Sequence, residues 1–125
     1  MNRLLILPVL LLTLLVGTPA FSADYQKGLT AARSGDFATA LREWTPLAKQ
    51  GYANAQGNLG ASYAFGKGLL KDYVYAHMWG IIGATNGNKN GVKLIDYVEK
   101  KMTPADISTA QKLARECIRK KYKGC

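Results

Sequence analysis

Histidine, cysteine and acidic residues are all scarce in this chain, and each scarcity removes a class of chemistry. His77 is the only histidine in 125 residues. A closed zinc site normally takes four Cys or His ligands, and Cys117 and Cys125 stand far from His77 in sequence. A metal centre is therefore not expected. Nucleophilic catalysis needs a base and an orienting group beside a Ser or Cys. Only His77 is available as an imidazole base, and no segment around Ser34, Ser62 or Ser108 resembles a nucleophile turn. Asp96 and Glu99 form a carboxylate pair at i, i+3, but Asp96/Lys100 and Glu116/Lys120 fit helical ion pairs better. The stretch "GKGLLKD" lacks the spacing and the Ser/Thr of a phosphate-binding loop, and no strand precedes it. No cofactor and no enzyme activity are expected. Strand-like alternation is missing too, so a half-buried sheet is excluded.

The shortage of acids leaves 17 Lys and Arg against 8 Asp and Glu, a formal charge of +9. The excess is concentrated late. From Lys89 to Cys125 there are ten Lys/Arg and four Asp/Glu, a local +6. Such a field favours acidic partners or anionic surfaces. The start of the chain narrows the choice. "MNR" is positive, "LLILPVLLLTLLVG" is apolar and "TPAFSA" offers small residues for cleavage. That is the layout of a secretory signal peptide over residues 1–23, cut near Ser22 or Ala23. The run from Leu4 to Val16 is shorter than the roughly 18–20 apolar residues of a membrane span. Export to a periplasmic or extracellular setting makes nucleic acid an unfavoured partner. Anionic envelope polymers, membrane headgroups or acidic proteins fit better.

Two cysteines in an exported chain suggest one disulfide. Free thiols or an intermolecular bond are the alternatives. Over an unbroken helix, Cys117 and Cys125 would stand about 12 Å apart, beyond the roughly 7 Å limit for a disulfide. Pairing them requires the helix to end after Cys117 and the tail to fold back, which Gly124 permits.

Helical periodicity dominates what is present. "GDFATALREWTPLAKQGY" places Phe37, Ala40, Leu41, Trp44, Leu47 and Ala48 on one stripe, with Arg42, Glu43, Lys49 and Gln50 on other faces. Asp36 caps its start and Gly51 marks its end. Pro46 lies inside and predicts a bend near Arg42–Pro46 rather than two helices. A shorter helix precedes it and ends at Ser34-Gly35. "YANAQGNLGASYAF" is a third helix, whose Gly57 and Gly60 make sense if another helix packs closely over them. A fourth runs from about Asp72 to Asn86, with Tyr73, Ala76, Trp79 and Ala84 on its inner face. "GVKLIDYVEKKM" is a fifth. "TPAD" opens a sixth, with Thr103 as cap and Pro104 in the first turn.

A shift of 36 residues superposes Asp36 on Asp72, Phe37 on Tyr73, Ala40 on Ala76, Ala48 on Ala84, Gly51 on Gly87 and Asn54 on Asn90. These are caps, small packing positions and helix ends. Ala53, Ala55, Gln56, Leu59, Gly60, Tyr63, Gly66, Gly68, Leu69, Asp72, Tyr73, Ala76, Trp79, Ala84 and Gly87 together resemble the pattern of the Sel1-like repeat family, relatives of tetratricopeptide repeats. Gly83 departs from it, standing where the family has alanine. The resemblance implies an all-α fold: a short α-solenoid of about three helix hairpins over residues 24–125. A full repeat would occupy about 53–88, and a degenerate hairpin at about 89–125 would cap it. It implies protein–protein contacts. Some exported relatives join cysteines separated by seven residues, the separation of Cys117 and Cys125. A few have been linked to β-lactams or peptidoglycan fragments, and no catalytic residue is carried over.

Two surfaces are singled out. Asn54, Asn58 and Ser62 lie at i, i+4 and i+8, away from the stripe Ala55/Leu59/Tyr63. With Gln26, Thr30 and Arg33 of the first helix they form a candidate peptide-binding face, since Asn can donate to and accept from a peptide backbone. Arg115, Arg119, Lys120, Lys121 and Lys123 form a candidate patch for an anionic polymer or membrane surface.

Overall fold

The computed structural model describes residues 22–125. The expected signal peptide falls almost entirely outside them. Six helices make up the described chain, with no strand: α1 (Tyr25–Arg33), α2 (Phe37–Lys49), α3 (Ala53–Phe65), α4 (Tyr73–Thr85), α5 (Gly91–Glu99) and α6 (Pro104–Arg119). The fold is all-α. No described helix is long and apolar enough to cross a membrane.

Local chemistry fixes most boundaries. Asp24, Asp36 and Asp72 each accept a bond from the backbone N–H three residues on, at 3.0–3.1 Å, filling one of the orphan donors at a helix start. Bonds from Thr39 hold the Asp36 carboxyl below its ordinary pKa. Thr103 caps α6 in the same way, with Pro104 next to it. α5 stops at Glu99, three residues short of its expected end at Met102, because Thr103 is extended ahead of Pro104 and the chain must leave the helix before it. Pro46 lies within α2 without dividing it.

The 36-residue spacing reappears in backbone detail. α2 and α4 each have 13 residues and begin at Phe37 and Tyr73. Each is followed by a left-handed glycine, Gly51 at φ 96° and Gly87 at φ 104°. Each exit closes with the same bond, Tyr52 N to Leu47 O at 3.0 Å and Asn88 N to Gly83 O at 2.8 Å. Between α3 and α4 the chain reverses through Gly66 (φ 64°) and Gly68 (φ 75°), and Leu69 packs against the core.

Helix α4 is the centre of the molecule. It packs on α3, α5 and α6, while α1 packs on α2 and α2 on α3. Ala76, His77, Met78, Trp79, Gly80, Ile82 and Gly83 are all buried, so α4 is enclosed on nearly every side rather than along one face. Tyr73 and Ala84 are only partly buried. The larger core cluster joins Trp44, Leu47, Leu59, Met78, Trp79, Ile82 and Cys117; a smaller one joins Ala64, Ala76, Leu94 and Val98. α5 and α6 both lie on α4 and make little contact with each other. The last two helices are thus not a tight hairpin, because each buries its apolar stripe on α4.

Glycines set the α3–α4 approach. A methyl carbon on Gly83 would lie 3.0 Å from Gly57 N and 3.3 Å from Ala53 O. The departure at Gly83 therefore has a local reason: it faces the bare backbone of Gly57. Gly60 similarly faces Ala76 O, Gly80 N and the tip of Leu94, which lets α5 settle into the angle between α3 and α4.

Candidate interaction surface

Two of the six polar side chains predicted to face a ligand bond to other parts of the fold, and a third is buried. Asn54 Oδ1 accepts from the buried Asn88 Nδ2 at 3.0 Å. Asn58 Nδ2 donates to the Tyr25 hydroxyl at 3.0 Å, joining α3 to α1. Ser62 is buried and donates to Asn58 O at 2.9 Å. Its hydroxyl does not reach the surface, which corrects its assignment to the binding face. Gln26, Thr30 and Arg33 are exposed on α1 and Asn54 on α3, while Asn58 is half-buried beneath its bond to Tyr25.

Two other polar residues are buried. Glu43, expected on a solvent face, is buried; it accepts from Asp24 N at 2.8 Å and its other oxygen lies 3.5 Å from Lys27 Nζ. Gln56 is fully buried, donating to Ala48 O at 3.0 Å and accepting from Asn86 Nδ2 at 2.8 Å. Both satisfy buried groups that would otherwise cost free energy.

His77 is buried on α4, and its Nε2 lies 2.8 Å from Glu99 Oε1 on α5. An ionised carboxylate only accepts, so Nε2 carries the proton; Nδ1 has no partner. This is a packing link between two helices. Glu99 is engaged with His77, while Asp96 on the same helix is exposed. The expected Asp96/Lys100 and Glu116/Lys120 ion pairs are not closed either. Among the described residues the pairs formed are Lys27–Glu43 and His77–Glu99. Glu99→Ala strands the buried imidazole donor, and a cost of roughly 1–3 kcal/mol is expected. Glu99→Gln keeps an acceptor and should recover most of it. Equal urea midpoints for Glu99→Ala and the parent would show that the link contributes nothing.

An exposed apolar patch lies between α3 and α5. Ala61 and Phe65 of α3 face Leu94 and Tyr97 of α5, with Asn90 and Lys93 completing an open groove of about 300 Å³. The Phe65 and Tyr97 rings stand 5.2 Å apart, and they are 50% and 39% exposed. Lys101 Nζ sits 5.4 Å from the Tyr97 ring centroid. Asn90 occupies the α5 cap position without making a capping bond, so its amide is the free asparagine beside the groove. Ala61 and Phe65 continue the α3 row of Asn54 and Asn58 at i+7 and i+11. An aromatic on that polar row, outside the core stripe, was the available signal.

Arg115, Arg119, Lys120, Lys121 and Lys123 are all exposed. Lys112, Arg115 and Arg119 border a shallow depression of about 310 Å³ that also contains Glu116. That carboxylate offsets part of the local charge. The Cys117–Cys125 disulfide is formed, with Cα atoms 5.8 Å apart. α6 ends two residues after Cys117, as the pairing requires. No group of three His, Cys, Asp or Glu suited to a metal occurs among the described residues.

No family model matches the chain, and neither a curated protein nor a solved structure matches it.

Proposed function

We propose that this is an exported, non-catalytic interaction module of the Sel1-like hairpin kind, binding a protein or peptide in the cell envelope. The observation that carries the reading is the open groove between α3 and α5, with two partly exposed aromatic rings as its wall. Large exposed apolar side chains side by side are costly in water and mark interaction surfaces when clustered. The matched helix lengths, caps and exits of α2 and α4 support the hairpin-repeat reading, and an intact disulfide accords with an oxidising compartment. The five exposed cations of α6 and its tail favour a second reading, a binder of anionic polymer or membrane surface.

One experiment separates the two. Random peptides displayed on phage are selected on the full-length protein and re-tested on Phe65→Ser/Tyr97→Ser and on Arg115→Glu/Arg119→Glu. Loss of binding by about tenfold or more is expected for the aromatic pair, the range for truncated interface anchors. Loss confined to the arginine variant would move the site to α6. Selected peptides that bind both variants as well as the parent would sink the groove reading.

A further inference from the structure

We infer that the α3–α5 groove takes an acidic peptide segment carrying one apolar anchor side chain, a reading that rests on the interaction-module function proposed above. The inference begins with the groove's floor and wall. Ala61, Phe65, Leu94 and Tyr97 present carbon surface around an open volume of about 300 Å³. That accommodates one large apolar side chain or two small ones. The groove is open along one side, so its occupant keeps a face in water. A chain segment with an apolar residue among polar neighbours meets that condition; a wholly apolar ligand does not.

Charge then selects among such segments. Lys93 lines the groove and Lys101 lies over the Tyr97 ring. Neither lysine has a carboxylate within salt-bridge distance among the described residues. No acid lines the groove. Asp96 is exposed on α5 but does not line it, and Glu99 is held by His77. The contrast with α6 is direct, because Glu116 stands among the cations of that depression. Carboxylates flanking the anchor would therefore meet two unneutralised ammonium groups, while lysines there would meet like charge. The free Asn90 amide can donate to and accept from the segment's backbone. A single-stranded nucleic acid also combines rings and negative charge. The two rings are tilted by 36° with centroids 5.2 Å apart, so they cannot sandwich a base, and the proposed export places the protein away from nucleic acid. The peptide is therefore favoured.

The test uses the full-length, oxidised protein and dye-labelled synthetic peptides in a Gly/Ser background. One peptide carries a leucine between Asp pairs, a second the leucine between Ser pairs, a third the leucine between Lys pairs, and a fourth the Asp pairs without leucine. Fluorescence anisotropy is expected to rank the Asp-flanked peptide roughly fivefold tighter than the Ser-flanked one at low salt. The gap should narrow as salt rises. Lys93→Glu/Lys101→Glu should transfer the preference to the Lys-flanked peptide; both lysines are exposed, so the fold should be kept, as a circular dichroism melt would verify. Equal binding of Asp- and Ser-flanked peptides would overturn the acidic preference and leave the groove reading standing. No binding by any leucine peptide would remove both. A preference that survives the lysine reversal but disappears in Arg115→Glu/Arg119→Glu, binding without leucine, or displacement by an equal concentration of a thymidine oligonucleotide would each overturn the inference.

Discussion

Trp79→Ala is expected to destabilise the protein by roughly 3–5 kcal/mol, the range for emptying a buried large aromatic site. Trp79 is 1% exposed at the middle of α4, the helix on which α3, α5 and α6 all pack. No neighbouring helix can collapse into the space without losing its seat on the others. A domain of this size has about 5–15 kcal/mol in total, so the variant would be close to unfolding, with Tm lower by at least about 12 °C. Trp79→Phe separates volume from polarity. The Trp79 indole N–H is buried without a partner, so removing it relieves an unsatisfied donor while some volume is lost. Phe should therefore cost far less than Ala, about 1–2 kcal/mol. Thermal melts of the two variants check this. A Phe variant as damaged as Ala would mean that the indole N–H has a partner in solution.

That enclosure of α4 was only partly legible in the sequence. Caps and glycines are local signals, and they worked: Asp36, Asp72 and Thr103 sit where the backbone needs an acceptor. Gly57 and Gly60 also announced a close neighbour, because unhelpful residues in a helix need a packing reason. The 36-residue shift places His77 on Leu41, a packed stripe position, and His77 is buried; the burial of Glu43 and Gln56 was not legible. A helical stripe identifies one apolar face, but a polar residue beside it becomes buried only if a second neighbour covers it. Asp24 at the α1 cap covers Glu43, Asn86 covers Gln56 and Glu99 covers His77. Each partner is 19 to 30 residues away in sequence.

The groove failed to appear for a related reason. Asn54 and Asn58 were read as free because their row points away from the core stripe, yet Asn88 and Tyr25 reach them from other helices. Phe65 and Tyr97 become one surface only because α5 packs against α3 as well as α4. Had α5 paired chiefly with α6, its Tyr97 would stand apart from Phe65. The position of α5 depends on Leu94 entering beside Gly60 and Gly80, a three-helix junction that no single periodicity describes.

At the other end of the molecule, opening the disulfide should have the second large effect. Cys117→Ser/Cys125→Ser is expected to cost roughly 2–3 kcal/mol, from the loop entropy that the cross-link removes from the unfolded chain. For a domain of this size that is a Tm lowered by about 10–20 °C. On the folded side two effects oppose each other, backbone strain that opening the loop would release and Tyr122 contacts that it would loosen. Lys121 and Tyr122 are non-glycine residues held in the left-handed region, at φ 53° and 66°, a conformation that costs roughly 1–2 kcal/mol per residue. Closure of the loop and the Tyr122 N to Cys117 O bond at 2.9 Å hold them there. Tyr122 in turn packs on the main core, and its hydroxyl accepts from Asn86 Nδ2 at 2.9 Å. That same amide group donates to the buried Gln56, so the tail is connected through Asn86 to the α3–α4 contact. Reduction of the parent protein by dithiothreitol should reproduce the variant's melt. Tyr122→Phe in the oxidised protein should lose only the hydroxyl contact, roughly 0.5–1.5 kcal/mol. A double serine variant melting within about 2 °C of the parent would show that the loop holds its shape without the bond, since even 1 kcal/mol would shift Tm by about 4–8 °C.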